Sequence, residues 1–261
     1  MAIPIALIDA FASAPFEGNQ AAVCLLEEKK PEEWMRKVAA ELNVSETAFL
    51  VKAEEGYHLR WFTPTAEAEL SSEATLAAAH FLYERGLLQP QATARFHTRS
   101  GPLLARKRES GIQLDFPAEP ARQAEAPEEL IQGLGLIPRF VGHNRLGYLV
   151  EVDSETTVRD LKPDLSLIRG LPALMVMVTS RGRDYDFVSR VFVPANSMKE
   201  DSVTGTAHCA LAPYWQRRLR KDEMLAYQAS SRGGQLRLSL DQQRVRMTGD
   251  AVTVMTGWFH G

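Results

Sequence analysis

Residues 199–208 read KEDSVTGTAH, and residues 207–215 continue them as an apolar run with helical character. Two adjacent carboxylates, Glu200 and Asp201, lead into Ser202, Thr204, Gly205 and Thr206. Hydroxyls and a glycine at a helix start expose backbone N–H groups that attract a carboxylate. A side-chain carboxylate beside them is then placed to move a proton on whatever is held. Ordinary N-capping explains the same residues, because Asp, Ser and Thr are the usual caps. The segment alone does not choose between the two readings.

Its surroundings recur half a chain earlier. Arg60-Trp61-Phe62-Thr63-Pro64 parallels Arg190-Val191-Phe192-Val193-Pro194, each a strand-like run closed by proline. After an acidic loop, each is followed by small residues: Ser71-Ser72-Glu73-Ala74-Thr75 in the first half, Thr204-Gly205-Thr206-Ala207-His208 in the second. Both runs continue as helices ending in basic residues, Arg85 in one and Arg217, Arg218 and Arg220 in the other. Small residues at a helix head allow close approach to a surrounding sheet. The repeat therefore predicts an α+β chain of two pseudo-symmetric domains, each a strongly bent, mostly antiparallel sheet around one central helix. The two helix starts are expected to face one cleft.

The linker is the Pro-, Ala- and Glu-rich stretch FPAEPARQAEAPEE at 116–129, which gives domains 1–117 and 118–261. Expected helices lie at 32–42, 73–85 and 127–133, the first on the spacing of Trp34, Val38 and Leu42. Strands are expected at 3–8, 47–52, 57–62, 93–98, 102–107, 112–116, 138–143, 146–152 and 173–179, then at 224–230, 235–240, 243–248 and 251–258. The last of these either stays with the second domain or crosses back to pair with the first.

A net charge of −3 and the lack of a basic, aromatic-interleaved stripe give no reason to expect a nucleic-acid partner. No apolar run reaches membrane-spanning length, and the start lacks the charged region of a signal peptide. Cys24 and Cys209 form no metal spacing, so a cytoplasmic, metal-free protein is the expectation. No GxSxG elbow, Walker loop, dinucleotide fingerprint or HExxH occurs.

Glu46 is the second acid/base candidate. It stands in NVSETAF (43–49), between a helix stopped by Asn43 and an apolar strand, with Ser45 and Thr47 beside it. Base rates favour a solvated loop glutamate there. Glu73 heads the first helix, where it favours the helix dipole whatever else it does. Asn19 follows Gly18 in a turn and serves as a turn residue or a ligand donor. Arg232, in SSRGG, belongs to an anion-binding loop or to a plain hairpin. His80 and His208 read as core histidines.

Taken together, IDAF, PFEGNQAAV, NVSETAFL, RWFTP, ATLAAAH, SRVFVPA, EDSVTGTAHCALAPYW, QASSRGG and AVTV resemble the PhzF-like (phenazine biosynthesis-like) isomerases, within the diaminopimelate-epimerase-like fold. The resemblance runs nearly end to end. It implies two barrel-like domains, each around a helix, with a site in the cleft between them, a homodimer and no cofactor. By its motif, Glu46 matches the family's proton-shuttling glutamate, Asp201 its active-site aspartate, and Gly205-Thr206 the helix start that holds a substrate carboxylate. Asn19, Ser45, Ser72 and Arg232 complete the expected substrate contacts. This chain departs from the family at Ser72-Glu73, where Gly-His is usual, at Ser202 for proline and at Thr206 for serine. Glu73 keeps an ionisable group there, as a second acid/base or a specificity residue. Racemases of the wider superfamily carry cysteines where this chain has Ser71 and Thr204, so a two-thiol mechanism is not expected. The implied activity is an isomerase moving a proton on a small carboxylated metabolite, with a two-carboxylate epimerase or a non-catalytic binder as the alternatives.

Overall fold

A computed structural model describes residues 2–193 and 200–261. Pro194, which closes the second repeat's strand motif, and Lys199 lie outside the described residues. The chain divides into two compact units: residues up to Phe116 together with Arg246–Gly261, and Pro117–Val245.

The first unit runs β1 (Ala2–Ala10), β2 (Asn19–Leu26), α1 (Glu32–Leu42), β3 (Glu46–Lys52), β4 (Tyr57–Phe62), β5 (Glu67–Ala68), α2 (Ser72–Glu84), β6 (Thr93–Thr98), β7 (Gly101–Arg108) and β8 (Gly111–Pro117). β1 and β2 are antiparallel, β2 and β3 parallel, β3 and β4 antiparallel, and β4 and β6 parallel. β6, β7 and β8 follow as the antiparallel meander that the Ser-Gly turns predict.

The next elements are β9 (Arg122–Gln123), α3 (Glu128–Leu134), β10 (Phe140–Asn144), β11 (Gly147–Glu151), α4 (Glu155–Asp160), α5 (Leu165–Ile168), β12 (Met175–Arg181), β13 (Phe187–Phe192), β14 (Glu200–Asp201), α6 (Gly205–Leu219), β15 (Glu223–Gln228), β16 (Gly234–Asp241), β17 (Arg244–Gly249) and β18 (Ala251–His260). Their pairing repeats the first plan: β10 antiparallel to β11, β11 parallel to β12, β12 antiparallel to β13, and β13 parallel to β15. Register makes the repeat exact enough to match residues. Phe62 pairs with Glu67 as Phe192 pairs with Glu200, and Thr47 faces Phe62 as Val176 faces Phe192.

β18 pairs with β1 along its length, from Ala2 opposite His260 to Ala10 opposite Ala251. The crossing satisfies the backbone groups along the second edge of β1, which would otherwise stand open. Helices α4 and α5 are absent from the expected elements. They fill the crossover between parallel β11 and β12, the place α1 holds between β2 and β3. Each is short and buries one residue, Val158 or Ile168, too few for a periodic signal.

α2 is buried nearly all round, from Ser72 to Ala79 and again at Phe81, Leu82 and Tyr83. A helix apolar on every side belongs inside its sheet, not on its surface. α1 instead buries one stripe, Met35, Val38 and Ala39, against Ile5, Leu26, Phe49 and Phe62. Asn43 ends α1 in the left-handed region, φ 48°, its N–H bonding the Ala39 carbonyl, and aims the chain into β3.

Each repeat is tied at the same point by an Arg–Glu fork. Arg60 Nε and Nη2 reach Glu67 at 2.6 Å each; Arg190 Nε and Nη2 reach Glu200 at 2.7 and 2.8 Å. Both guanidinium groups lie over the phenylalanine two residues on, Phe62 at 5.1 Å and Phe192 at 5.0 Å. These forks fix the short strands β5 and β14 that deliver the chain to α2 and α6. Arg190 also donates to the Leu161 carbonyl at 2.6 Å. Replacing Arg190→Met should leave Glu200 unpaired and cost roughly 2–4 kcal/mol in urea unfolding. A loss below about 0.5 kcal/mol would show that the fork is ornamental.

Candidate active site

At one end of the first unit, two carboxylates converge on one hydroxyl. Glu46 opens β3, where strand alternation turns its side chain with Ala48 and Leu50 toward α2. Ser71 is the N-cap of α2, its extended backbone (φ −137°) feeding the helix while its Oγ accepts the Ala74 N–H at 3.1 Å. The same Oγ lies 3.0 Å from Glu46 Oε2 and 3.2 Å from Glu73 Oε2. Ser72 Oγ donates to the other oxygen of Glu73 at 2.9 Å. Glu73 is only 3% exposed, so hydroxyls and not water supply these contacts to its carboxylate. Alongside, Ser45 Oγ donates to Asn19 Oδ1 at 2.6 Å, with Asn19 buried at the head of β2.

Gly18 makes that turn possible. Its φ is +64°, and a Cβ there would stand 2.2 Å from the Ala10 carbonyl oxygen. The first unit thus gathers Asn19, Ser45, Glu46, Ser72 and Glu73. Ser71, the hub, was marked in the sequence as the head of a small-residue run and as the counterpart of a racemase cysteine, but not as a site residue. The repeat, which sets it opposite Thr204, was the available signal.

The second unit gathers Asp201, Gly205, Thr206 and the Arg232 turn. Thr204, the N-cap of α6, does not cap: its Oγ1 donates to Asp201 Oδ2 at 2.6 Å. The N–H groups of Thr206 and Ala207 therefore receive nothing from the Thr204 side chain, in contrast to Ala74 in α2. Gln228, fully buried, accepts the Thr204 N–H at 2.8 Å and donates to the Asp201 carbonyl at 2.8 Å. Ser230 Oγ donates to the Ser202 carbonyl at 2.6 Å and accepts the Gly233 N–H at 3.1 Å, which ties the turn carrying Arg232 to this segment. Gln228 went unnoticed in the sequence, although it opens the QASSRGG stretch.

Register also shows what the two repeats do not share. The position of Glu46 is Met175 in the second, and that of Asp201 is Ala68 in the first. The first half holds Glu46 and Glu73, where the second has Met175 and Thr206, and the second holds Asp201, where the first has Ala68. Among the described residues no group of three or more His, Cys, Asp or Glu side chains comes together to hold a metal. Burial pushes the Cys24 thiol up to about 12, far from a nucleophile's range.

The sequence matches the family described as phenazine biosynthesis-like protein over residues 8–257. The chain belongs to this family. It is 49% identical over 258 residues to an uncharacterised isomerase of Halalkalibacterium halodurans, covering 98% of this chain and 97% of that one. The crystal structure of a PhzF-family phenazine biosynthesis protein from Enterococcus faecalis superimposes with a TM-score of 0.95 at 39% identity, covering all of both chains. A hydroxyproline epimerase from Agrobacterium vitis, with trans-4-hydroxy-L-proline bound, shares the fold at a TM-score of 0.67 and 15% identity, over 98% of this chain and 92% of its own. The phenazine biosynthesis-like chain is accordingly an isomerase-class enzyme with an epimerase-like fold. No helix among its described residues is long and apolar enough to cross a membrane.

One titratable group supports the α6 start from behind. His208 is fully buried, its ring stacked on Phe187, with Nδ1 2.8 Å from the Thr204 carbonyl oxygen. Burial lowers its pKa from 6.5 to about 4, against the smaller opposing effect of that carbonyl. The ring is neutral when folded, so its contribution is complete above pH 6.5 and is lost as pH falls from there toward 4. The stability gap between the wild type and His208→Leu should narrow by about 3 kcal/mol between pH 7 and pH 4. Urea unfolding at the two pH values checks this, and an unchanged gap contradicts it.

Proposed function

We propose that this isomerase moves a proton within a small carboxylated metabolite, with Glu46 as the shuttle. The Glu46 carboxylate takes a proton from a substrate carbon, the electron pair delocalises toward the substrate's unsaturated or carboxylate group, and the Glu46 acid returns the proton to another carbon. Atoms and electrons balance without a redox partner. Glu73 is the proton reserve behind it, Asp201 is the shuttle's partner, and the Gly205-Thr206 start of α6 holds the substrate carboxylate. Asn19, Ser45, Ser72 and Arg232 fix its orientation.

The Ser71 hydroxyl between Glu46 and Glu73 is the observation that carries this reading. A hydroxyl has one hydrogen and two lone pairs. With one lone pair taken by the Ala74 N–H, the hydrogen satisfies one carboxylate, and the other lone pair is satisfied by a protonated carboxyl. One negative charge and one proton then sit on the two glutamates, as like charges brought this close favour. A base and its acid reserve are joined by a single oxygen.

The same contact weighs against inversion at one carbon. Two-base epimerisation needs an acid and a base on opposite faces of the substrate. Glu46 and Glu73 share one Ser71 oxygen and so approach from one side. That favours a shift on one face between two carbons.

Incubation in D2O with a panel of cyclic and amino-acid-derived carboxylates, read by mass and NMR, tests the assignment. The wild type should wash deuterium into a substrate, and Glu46→Gln should slow this by about 10²–10⁴-fold while its thermal unfolding is unchanged. Exchange by Glu46→Gln at the wild-type rate contradicts the shuttle. Binding without exchange by the wild type contradicts the chemistry.

A further inference from the structure

A cavity of about 450 Å³ lies on the opposite face of β3 from Glu46. Side chains of β3 alternate, so Phe49 and Val51 point away from α2 and into this cavity, beside α1. Its floor is a cross-strand row in register, Leu26 beside Val51, Val51 beside His58 and His58 beside His97. The row begins aliphatic and ends in two imidazoles whose centroids are 5.5 Å apart. Lys29 and Lys30 stand at the mouth, on the loop before α1.

The charge is unbalanced in one direction. Arg60 and Arg99 are both neutralised by Glu32 and Glu67, and Lys30 pairs with Glu28 at 2.7 Å. No ion pair joins Lys29 to any carboxylate among the described residues. His97 Nε2 lies 2.6 Å from the Glu55 carbonyl oxygen and so serves as its donor. Burial, then Lys29 and His97, lower the pKa of His58. A site with an apolar floor, one unpaired ammonium and two imidazoles is complementary to an anion with an apolar body. Its size suits a small metabolite, for which pockets of roughly 300–1,000 Å³ are usual.

We propose that this outer cavity is a second ligand site, for a small organic anion whose apolar body lies on Phe49 and Val51 and whose carboxylate sits among Lys29, His58 and His97. It is separate from the carboxylate pair at Ser71, because the two lie on opposite faces of one strand. Binding strengthens as pH falls, since the His58 imidazole, held neutral by its surroundings, gains charge.

Titration with 2-naphthoate at pH 6, followed by the imidazole signals in a ¹H–¹³C NMR spectrum, tests the site. The His58 and His97 signals should shift saturably while buried His208 stays fixed. Lys29→Glu, an exposed substitution, should raise the dissociation constant at least fivefold, and neutral 2-naphthamide should bind at least fivefold more weakly than the acid. Glu46→Gln should leave the constant unchanged. Unmoved His58 and His97 signals, an affinity indifferent to Lys29→Glu, or equal binding of the amide would overturn the proposal. Binding abolished by Glu46→Gln would do the same, by placing the anion at the carboxylate pair.

Discussion

A helix enclosed by its own sheet has one problem that a surface helix does not: its first N–H groups cannot turn to water. In α2 that constraint is met by Ser71 Oγ, which accepts the Ala74 N–H, while Thr75 Oγ1 bonds back to the Ser71 carbonyl. The cap has a second consequence. Its remaining hydrogen and lone pair point where Glu46 and Glu73 arrive, so the atom that terminates the buried helix is also the atom that joins the two carboxylates. Position and helix stability meet in one hydroxyl. This is why the candidate chemistry sits at a helix start and not on a loop.

The two repeats have kept what builds the units and diverged in what equips them. The Arg60–Glu67 and Arg190–Glu200 forks, the parallel crossovers and the enclosed α2 correspond position by position with their partners in the second unit. Around the helix starts the correspondence breaks. Ser71 caps α2, whereas Thr204 gives its hydroxyl to Asp201. A carboxylate opens β3 and a methionine opens β12. A symmetric pair of bases would require matched groups at matched positions, and this chain has complementary ones instead.

Much of this was legible before any coordinates. The paired Arg-x-Phe strands and small-residue helix starts announce a duplicated unit, since an enclosed helix needs small or apolar residues on every side. Asn43 marks the end of α1 because a left-handed stop favours it. Other features were out of reach. Nothing in the alternation of 251–258 tells which strand it will pair with, for a period of two specifies faces and not neighbours. α4 and α5 are too short to show a period. That Ser71 would face two carboxylates, and that Thr204 would turn from its helix to Asp201, are outcomes of packing between segments about 25 residues apart in one case and of a strand register in the other.

The central claim is that Glu46 and Glu73 hold one proton between them through Ser71. Difference infrared spectroscopy of the ligand-free enzyme at neutral pH reads it directly. The account predicts a protonated-carboxyl carbonyl band in the wild type that is lost or shifted in both Glu46→Gln and Glu73→Gln, since each substitution removes one of the two groups that share the proton. A wild type with no such band, or a band that survives both substitutions unshifted, would contradict it.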